Sequence, residues 1–170
     1  DDLGVDKAGL ALDEHGFVPV DSKLKTNLEG VYAIGDVKGG PAFTHISFDD
    51  FRVVKANILD GKDRSIEGRP VPYTMYIDPQ LGRIGLTEEE ATKKGLNYRV
   101  SKMAMSHVAR ALEVNDTRGF VKALIDKDTD QILGAAVLGL EGGEIMSMIQ
   151  LAMAGGLTAR ELCETIFAHP

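Results

Sequence analysis

Asp36 is the first side chain in this sequence whose position suggests chemistry. It follows a near-continuous apolar run at residues 31–34, which predicts a strand buried on both faces of a parallel sheet. Sheets of this kind bind ligands at the carboxyl ends of their strands, and Gly35 lets the backbone approach a ligand closely. A carboxylate at that point suits a sugar or ribityl hydroxyl. The spacing leaves a second interpretation open, in which Asp36 only caps a turn.

A helix is predicted soon after this carboxylate. Residues 39–41, Gly-Gly-Pro, form a turn, and the helix then runs from about Thr44 to residues 60–61. Its apolar residues are spaced by three and four positions: Phe51, Val54 and Ile58. The first helical residues, near Thr44 and His45, offer backbone N–H groups and the positive end of the helix dipole. Both features suit an anion.

The elements that position these residues belong to the first of two unequal parts. Residues 1–69 combine the helix with short predicted strands at 16–20 and 31–34, and the polar stretch 61–70 is typical of a linker. Residues 70–170 are predicted to be an α+β domain with an antiparallel sheet and flanking helices. Its strands are predicted at 71–77, 81–86, 119–125 and 131–138, the last two as a hairpin.

Two helices of the second part begin with the same signature, a Thr followed three residues later by a Glu. Thr87 and Glu90 form one such capping box, and Thr158 and Glu161 form the other. Apolar residues at helical spacing predict a further helix that ends at residues 155–156: Ile145, Met148, Ile149, Ala152 and Met153.

Charge and cysteine content exclude several classes of protein. The 170 residues carry 19 Lys and Arg against 26 Asp and Glu, and the net charge of −7 disfavours nonspecific binding to nucleic acid or anionic membranes. The single cysteine, Cys163, excludes an intrachain disulfide framework and a thiolate metal cluster. The first residues do not resemble a signal peptide, so we expect a protein of the reducing cytoplasm.

The remaining candidate ligands favour structural roles. Cys163 is expected to be a small buried residue of the last helix. His107 and Arg110 lie in a Met-rich stretch that is predicted to be irregular and to have a structural or interface role. The other methionines are attributed to core packing, and no metal site is predicted.

Residues 26–36 resemble the second flavin-binding motif of flavoproteins that have two dinucleotide-binding domains. The likeness rests on a Thr, a spacer, small apolar residues and then Gly-Asp at 35–36. In that family the Asp binds the ribityl chain of FAD, which implies this role for Asp36, with Gly35 beside it. The helix start that follows faces the flavin pyrimidine ring in the family. The resemblance therefore implies four more FAD-binding residues: Ala42, Phe43, Thr44 and His45.

Residues 71–170 resemble the C-terminal dimerisation domain of the class I pyridine nucleotide-disulfide oxidoreductases, such as lipoamide dehydrogenase, glutathione reductase and mercuric reductase. The resemblance rests on short segments at 84–91, 119–122, 133–135, 142–145 and 168–170. Residues 39–44 and 115–119 are nearest to the mercuric-reductase-like branch. Within that branch the chain is similar to enzymes linked to reactive-chlorine resistance and copper(II) reduction. The resemblance implies a homodimer that binds FAD and takes electrons from NAD(P)H.

His169 is the candidate catalytic residue that this resemblance implies. In disulfide reductases His-Pro opens a His-Pro-Thr motif, and the His acts as acid and base on the active-site thiol of the other subunit. An imidazole titrates near neutral pH and therefore exchanges protons readily with a thiol. The Glu that orients this His in the family would follow Pro170. Mercuric reductases typically have Tyr in place of the His, so His169 disfavours a dedicated mercuric enzyme.

Several motifs of the family are missing from the sequence. Neither a glycine-rich pyrophosphate-binding motif nor the redox-active pair of Cys is present. We therefore expect the chain to be a piece of a larger enzyme that is inactive by itself, with the FAD and NAD(P) domains of the same polypeptide as its partners. Two alternatives stay open: a dimerisation or scaffold module without flavin, and a dedicated mercuric or copper(II) ion reductase.

Overall fold

The computed structural model describes residues 4–168 and divides into two compact units. The first unit ends at Val71 and the second begins at Pro72. Within residues 4–168, every helix is too short or too polar to cross a lipid bilayer. Each unit has its own set of buried apolar side chains.

The first unit is built from helices and extended loops. Helix α1 (Val5–Ala8) is a single turn, a 3₁₀ turn spans Gly35–Lys38, and helix α2 spans Thr44–Ile58. Helix α2 confirms the predicted helix and its start at Thr44, but it ends at Ile58 instead of residues 60–61. Its buried face is not the predicted apolar stripe, because Phe51 and Ile58 are exposed. The buried apolar side chains come from the loops and from one face of α2: Val18, Leu24, Ala33, Ile46, Val53 and Ala56.

The strands predicted at residues 16–20 and 31–34 are wrong, because neither segment belongs to a ladder. Within residues 4–71 the sole β-pairing is an isolated bridge between Lys25 and Tyr32. Val18 donates a backbone hydrogen bond to the carbonyl of Val37 at 2.8 Å, which is a single contact between a loop and the 3₁₀ turn. An apolar run becomes a doubly buried strand only when strands on both sides accept and donate its hydrogen bonds.

The polar segment predicted as a linker is bound to the first unit. It contains neither helix nor strand, but its backbone is held at several points. The Asn57 side chain at the end of α2 donates to the carbonyl of Arg64 at 2.9 Å and accepts from its N–H at 2.7 Å. The Ile66 N–H donates to the carbonyl of Ser22 at 2.9 Å. These contacts make the segment an ordered part of the unit.

Five antiparallel strands form the sheet of the second unit, in the spatial order β1-β2-β5-β4-β3. The strands are β1 (Tyr73–Met75), β2 (Leu81–Gly85), β3 (Tyr98–Ala104), β4 (Phe120–Asp126) and β5 (Ile132–Leu138). Strands β4 and β5 form the predicted hairpin, and β1 and β2 lie where strands are predicted. The predicted antiparallel sheet is therefore confirmed.

Among the five strands of this sheet, β3 is the one that the sequence pattern does not predict. It lies at the edge of the sheet, paired only with β4, and six of its seven residues are exposed. An exposed edge strand needs no alternation of apolar and polar residues, so its sequence carries no period-two signal. The 3₁₀ turn Met105–His107 and the short helix α4 (Ala109–Glu113) complete this region.

Helix α5 (Gly142–Ala154) covers the sheet and forms the main core of the second unit. Its Met146 is buried against Ile84 of β2 and Val137 of β5. Helices α3 (Glu88–Lys93) and α6 (Ala159–Glu164) begin with the predicted capping boxes, which are confirmed.

The capping boxes have the expected reciprocal hydrogen bonds. The Thr87 hydroxyl accepts from the Glu90 N–H at 3.0 Å, and the Glu90 carboxylate accepts from the Thr87 N–H at 2.7 Å. The second box is closed in the same way between Thr158 and Glu161. The hydrogen bond from the Thr backbone N–H is the main reason that the pKa of each Glu lies below its usual value.

Gly134 of β5 is a residue whose replacement should strongly disturb this sheet. A Cβ added there would lie 2.2 Å from the carbonyl oxygen and 2.5 Å from the nitrogen of Leu86, and neither backbone atom can move away freely. We expect Gly134→Ala to lower the free energy of unfolding by about 2–3 kcal/mol, measured by chemical denaturation. Gly155→Ala is the matched control, because its nearest contact is at 3.3 Å and its φ is −79°. Equal stability of the two variants would contradict the prediction.

Candidate functional site

The 3₁₀ turn Gly35–Lys38 presents the Asp36 carboxylate to solvent. Asp36 is exposed, and within residues 4–168 its carboxylate has neither a hydrogen-bond nor an ion-pair partner. Gly35 adopts a φ of +69°, and a Cβ there would lie 2.9 Å from the Ser47 hydroxyl oxygen of α2. A residue without a side chain is therefore required at this point. The turn leaves the carboxylate available to a ligand.

A buried carboxylate on α2 contacts this turn and holds it in place. Asp50 of α2 is fully buried, and its Oδ2 accepts the Gly35 N–H at 2.8 Å. The Lys38 Nζ lies 3.4 Å from the same oxygen, and the Lys38 side chain is itself 6% exposed. The Arg69 Nη1 lies 2.7 Å from Oδ1 without hydrogen-bond geometry, so this contact is an ion pair. Both ends of the turn are thus tied to one side chain.

Asp50 and Lys38 are site residues that the sequence analysis misses. A signal for Asp50 exists, because it shares the inward face of α2 with Ile46 and Val53 at helical spacing. A charged residue in such a stripe needs a buried partner. The two cations that supply it come from distant segments, and nothing in the sequence pattern pairs them with Asp50.

The N-terminus of α2 carries the other predicted FAD-binding residues. Phe43 is the N-cap residue of this helix, and its backbone is extended. The rings of Phe43 and His45 stack, with centroids 5.3 Å apart and planes 17° from parallel. Ala42, Thr44 and His45 are exposed. Because Asp50 and Ser47 of α2 contact Gly35, the helix and the Asp36 turn form one structural element of the first unit.

An open apolar cavity of about 720 Å³ lies on the first unit. It is lined by residues of α1, of the loops and of the 3₁₀ turn, and several of its large side chains are exposed: Leu12, Val31, Ile34 and Val37. Contiguous exposed apolar surface of this kind marks a contact with another protein segment or a ligand. The first unit therefore has an apolar face that a further part of a protein can cover.

The charged cluster around Arg118 links separate segments of the second unit. Its guanidinium donates to the Asp78 carboxylate at 2.7 Å and 3.1 Å and to the Asp116 carboxylate at 2.8 Å and 2.9 Å. Hydrogen bonding to Arg118 lowers the pKa of Asp116 to about 2. Within the described residues no three His, Cys, Asp or Glu side chains lie close enough together to hold a metal ion.

The prediction that Cys163 is a buried residue of the last helix is wrong. The thiol-bearing residue is exposed rather than a buried apolar residue of α6. The reason is that α6 has only six residues, of which Ala159 alone is buried. His169, the predicted catalytic residue, lies outside the described residues and stays a prediction.

The outer face of α5 exposes apolar side chains. Met148 and Leu151 are three residues apart and point away from the core, and Leu151 is 73% exposed. Tyr76 and Ile166 are almost completely exposed elsewhere in the same unit. The second unit therefore also has apolar surface that a partner can cover.

Comparison with known families assigns both units. The family described as "Pyridine nucleotide-disulphide oxidoreductase, dimerisation domain" matches residues 71–170, and the family described as "Pyridine nucleotide-disulphide oxidoreductase" matches residues 1–50. The chain belongs to the pyridine nucleotide-disulphide oxidoreductases. The family expected from the sequence is thereby confirmed. Members of this family use FAD and take electrons from NAD(P)H.

Individual oxidoreductases of this family match over almost the whole chain. The probable pyridine nucleotide-disulfide oxidoreductase RclA of Escherichia coli is 38% identical over 169 residues, which cover 99% of this chain and 38% of that protein. The dihydrolipoyl dehydrogenase of Vibrio cholerae is 35% identical over 168 residues, or 99% of this chain and 35% of the enzyme. This chain thus spans little more than a third of the length of these relatives.

Solved structures show the same similarity. The structure titled HOCl-induced flavoprotein disulfide reductase RclA from Escherichia coli aligns with a TM-score of 0.92 at 38% identity, covering 99% of this chain and 39% of that one. A Cu(II) complex of the same reductase aligns with a TM-score of 0.94, also at 38% identity, covering 100% and 40%. The architecture of the oxidoreductase family therefore extends across both units of this chain.

Proposed function

We propose that this chain is part of a homodimeric FAD-dependent oxidoreductase that uses NAD(P)H to reduce a disulfide or a metal ion. The reduction would use a pair of Cys residues outside residues 1–170. The observation that carries the proposal is the exposed Asp36 carboxylate, held on an anchored turn within the family-matched segment 1–50. On this view residues 1–170 alone are inactive, because the sequence holds neither the Cys pair nor a glycine-rich pyrophosphate-binding motif.

The residues of the first unit fit part of an FAD site. The Asp36 carboxylate has the capacity to accept hydrogen bonds from ribityl hydroxyls, and the glycine at position 35 leaves the backbone accessible. The start of α2, at Ala42, Phe43 and Thr44, offers the positive end of a helix dipole to an electron-rich ring. When bound, the flavin supplies the transfer of electrons between the nicotinamide and the Cys pair. The role of the chain itself is to bind the flavin and to orient it.

His169 would move the proton that accompanies this chemistry. An imidazole near neutral pH takes a proton from a thiol and returns it to a leaving thiolate. In the proposed dimer it acts on the thiols of the partner subunit. The site is then complete only when two chains associate.

The second unit would supply most of the dimer contact. Support comes from the match of residues 71–170 to a dimerisation domain and from the exposed apolar side chains Met148 and Leu151. A two-fold axis would place the same surface of both chains in contact. Each exposed apolar residue of that surface would therefore be buried in both chains.

Copper(II) is the second candidate acceptor besides a disulfide. It is favoured by the similarity to a reductase whose solved structure is a Cu(II) complex. A dedicated mercuric enzyme is disfavoured by His169, since Tyr is typical at that position in those enzymes. Turnover of NAD(P)H with copper(II) and with small disulfides, measured side by side, distinguishes the two acceptors.

Sedimentation of the full-length protein tests the proposed function directly. We expect a dimer whose moving boundary carries the flavin absorbance, with one flavin per chain. A dimer without flavin would instead identify a dimerisation or scaffold module. A monomer that turns over NAD(P)H at the same rate would contradict the proposed two-chain site.

A further inference from the structure

The turn that carries Asp36, the proposed flavin-binding residue, contacts a buried carboxylate. Among residues 4–168, Asp50 is the charged residue that is fully buried, and it lies on the inward face of α2. Burying a carboxylate costs several kcal/mol unless cations and hydrogen-bond donors surround it. The structure supplies these partners, and two of them belong to the turn that carries Asp36.

The two carboxylate oxygens of Asp50 contact different groups. Oδ2 accepts the Gly35 N–H at 2.8 Å and faces the Lys38 Nζ at 3.4 Å, so it touches the first and the last residue of the turn. Oδ1 faces the Arg69 Nη1 at 2.7 Å. Asp36 lies between the two residues that Oδ2 holds, and its own side chain points to solvent. The direction of the Asp36 carboxylate therefore depends on where Asp50 holds the turn.

We propose that Asp50 is a positioning residue that fixes the turn Gly35–Lys38 and so aims Asp36 at a ligand hydroxyl. The inference rests on the proposed function, in which that ligand is the ribityl chain of FAD. A rigidly held carboxylate binds a hydroxyl without first losing conformational freedom. Removing the anchor costs affinity even though Asp50 itself is buried away from the ligand.

An amide cannot replace this carboxylate. Asn has one oxygen and one NH₂ group, and every partner of Asp50 is a donor or a cation. If the amide oxygen accepts from the Gly35 N–H, the NH₂ group faces Arg69. If the oxygen faces Arg69, the NH₂ group faces the Gly35 N–H and Lys38. Either orientation places donors against each other, and the turn moves.

Asp49 provides a matched control one residue away. It is a carboxylate on the same helix, and it also contacts Arg69, at 3.2 Å. Its other cations are Arg52 and Arg64, each at 3.7 Å, and it has no contact with the turn among the described residues. Asp49→Asn therefore weakens the Arg69 contact while leaving Gly35 and Lys38 in place.

Titration of the flavin-free full-length protein with FAD tests the inference, with flavin fluorescence as the readout. We expect Asp50→Asn to weaken FAD binding about tenfold, since a hydrogen bond to a charged group is lost. Asp49→Asn should stay within about twofold of the wild type, as expected for a side chain without a ligand-directed role. Circular dichroism at the titration temperature reports whether each variant is folded. Equal affinity of Asp50→Asn and wild type would overturn the inference.

A double-mutant cycle separates positioning from general loosening of the unit. If Asp50 acts through Asp36, the variant Asp36→Asn/Asp50→Asn binds FAD no more weakly than Asp36→Asn alone. Additive losses would show that Asp50 acts by another route. Should Asp50→Asn be unfolded, Lys38→Met replaces it, because it leaves Asp50 paired with Arg69; we expect the same non-additivity with Asp36→Asn.

The outcomes also separate this inference from the proposed function on which it rests. Wild-type protein that binds no FAD overturns both. FAD binding that is unchanged in Asp36→Asn overturns the proposed flavin site and, with it, the positioning role. FAD binding that is weakened by Asp36→Asn but unchanged by Asp50→Asn overturns the positioning role alone.

Discussion

Replacing His169 by Gln in the full-length protein is expected to lower kcat with a disulfide acceptor by about 100-fold or more. The physical reason is that thiolate attack and thiolate departure both need a proton carrier with a pKa near neutrality, and an amide side chain cannot carry one. The measurement is steady-state turnover at saturating NAD(P)H and acceptor. The pH dependence of kcat gives a second readout, since the limb that belongs to the imidazole should disappear in the variant.

His107→Gln is the matched control for this substitution. His107 is exposed in the short 3₁₀ turn after β3, and its replacement by Gln should leave kcat within about twofold of the wild type. Complementation tests the proposed location in the partner subunit. Mixed dimers of His169→Gln with a variant that lacks the Cys pair contain one complete site, so activity should appear on mixing two inactive proteins. A His169→Gln enzyme with normal kcat would contradict the proposed acid–base role.

The second unit is predictable from its sequence because its signals are local. The capping boxes at Thr87 and Thr158 pair residues only three apart, and strands β4 and β5 are joined by a short charged loop. Short-range chemistry of this kind is complete within the sequence window that reveals it. Strand β3 is missed because an exposed edge strand is not constrained to alternate.

The first unit is less predictable because its form depends on partners distant in sequence. The apolar run at 31–34 has the composition of a buried strand, but only Ala33 is buried in this chain. The run therefore contributes to an open apolar face instead of a sheet. Composition predicts that a segment seeks apolar surroundings, and the neighbouring strands decide whether it becomes a strand.

The candidate site shows the same division between near and distant contacts. Asp36 and the start of α2 are eight residues apart, and a motif resemblance is enough to single them out. The carboxylate that anchors them is 14 residues after Asp36, and the cation at Arg69 is 19 residues further still. Such an anchor becomes visible only when the fold brings its members within ion-pair distance. Positioning residues are for this reason harder to predict than the residues they position.

Leu151→Glu is expected to separate the proposed dimer into monomers. Leu151 is 73% exposed on the outer face of α5, beside Met148, in the unit that matches a dimerisation domain. In a two-fold interface each substitution occurs twice, and two carboxylates would be buried against apolar surface. We expect the dimer dissociation constant to rise about 100-fold or more, measured by sedimentation over a dilution series. Leu59→Glu is the control, because Leu59 is 74% exposed but belongs to the first unit.

Activity should follow association in this variant. If His169 acts on the thiols of the partner subunit, the thiols of a monomer have no His169 beside them. A monomer therefore turns over no disulfide. The specific activity of Leu151→Glu is then low at low protein concentration and rises as the protein is concentrated, whereas that of Leu59→Glu is constant. A Leu151→Glu monomer that retains full activity would place His169 and the thiols in one chain. A Leu151→Glu protein that remains dimeric would remove the outer face of α5 from the interface.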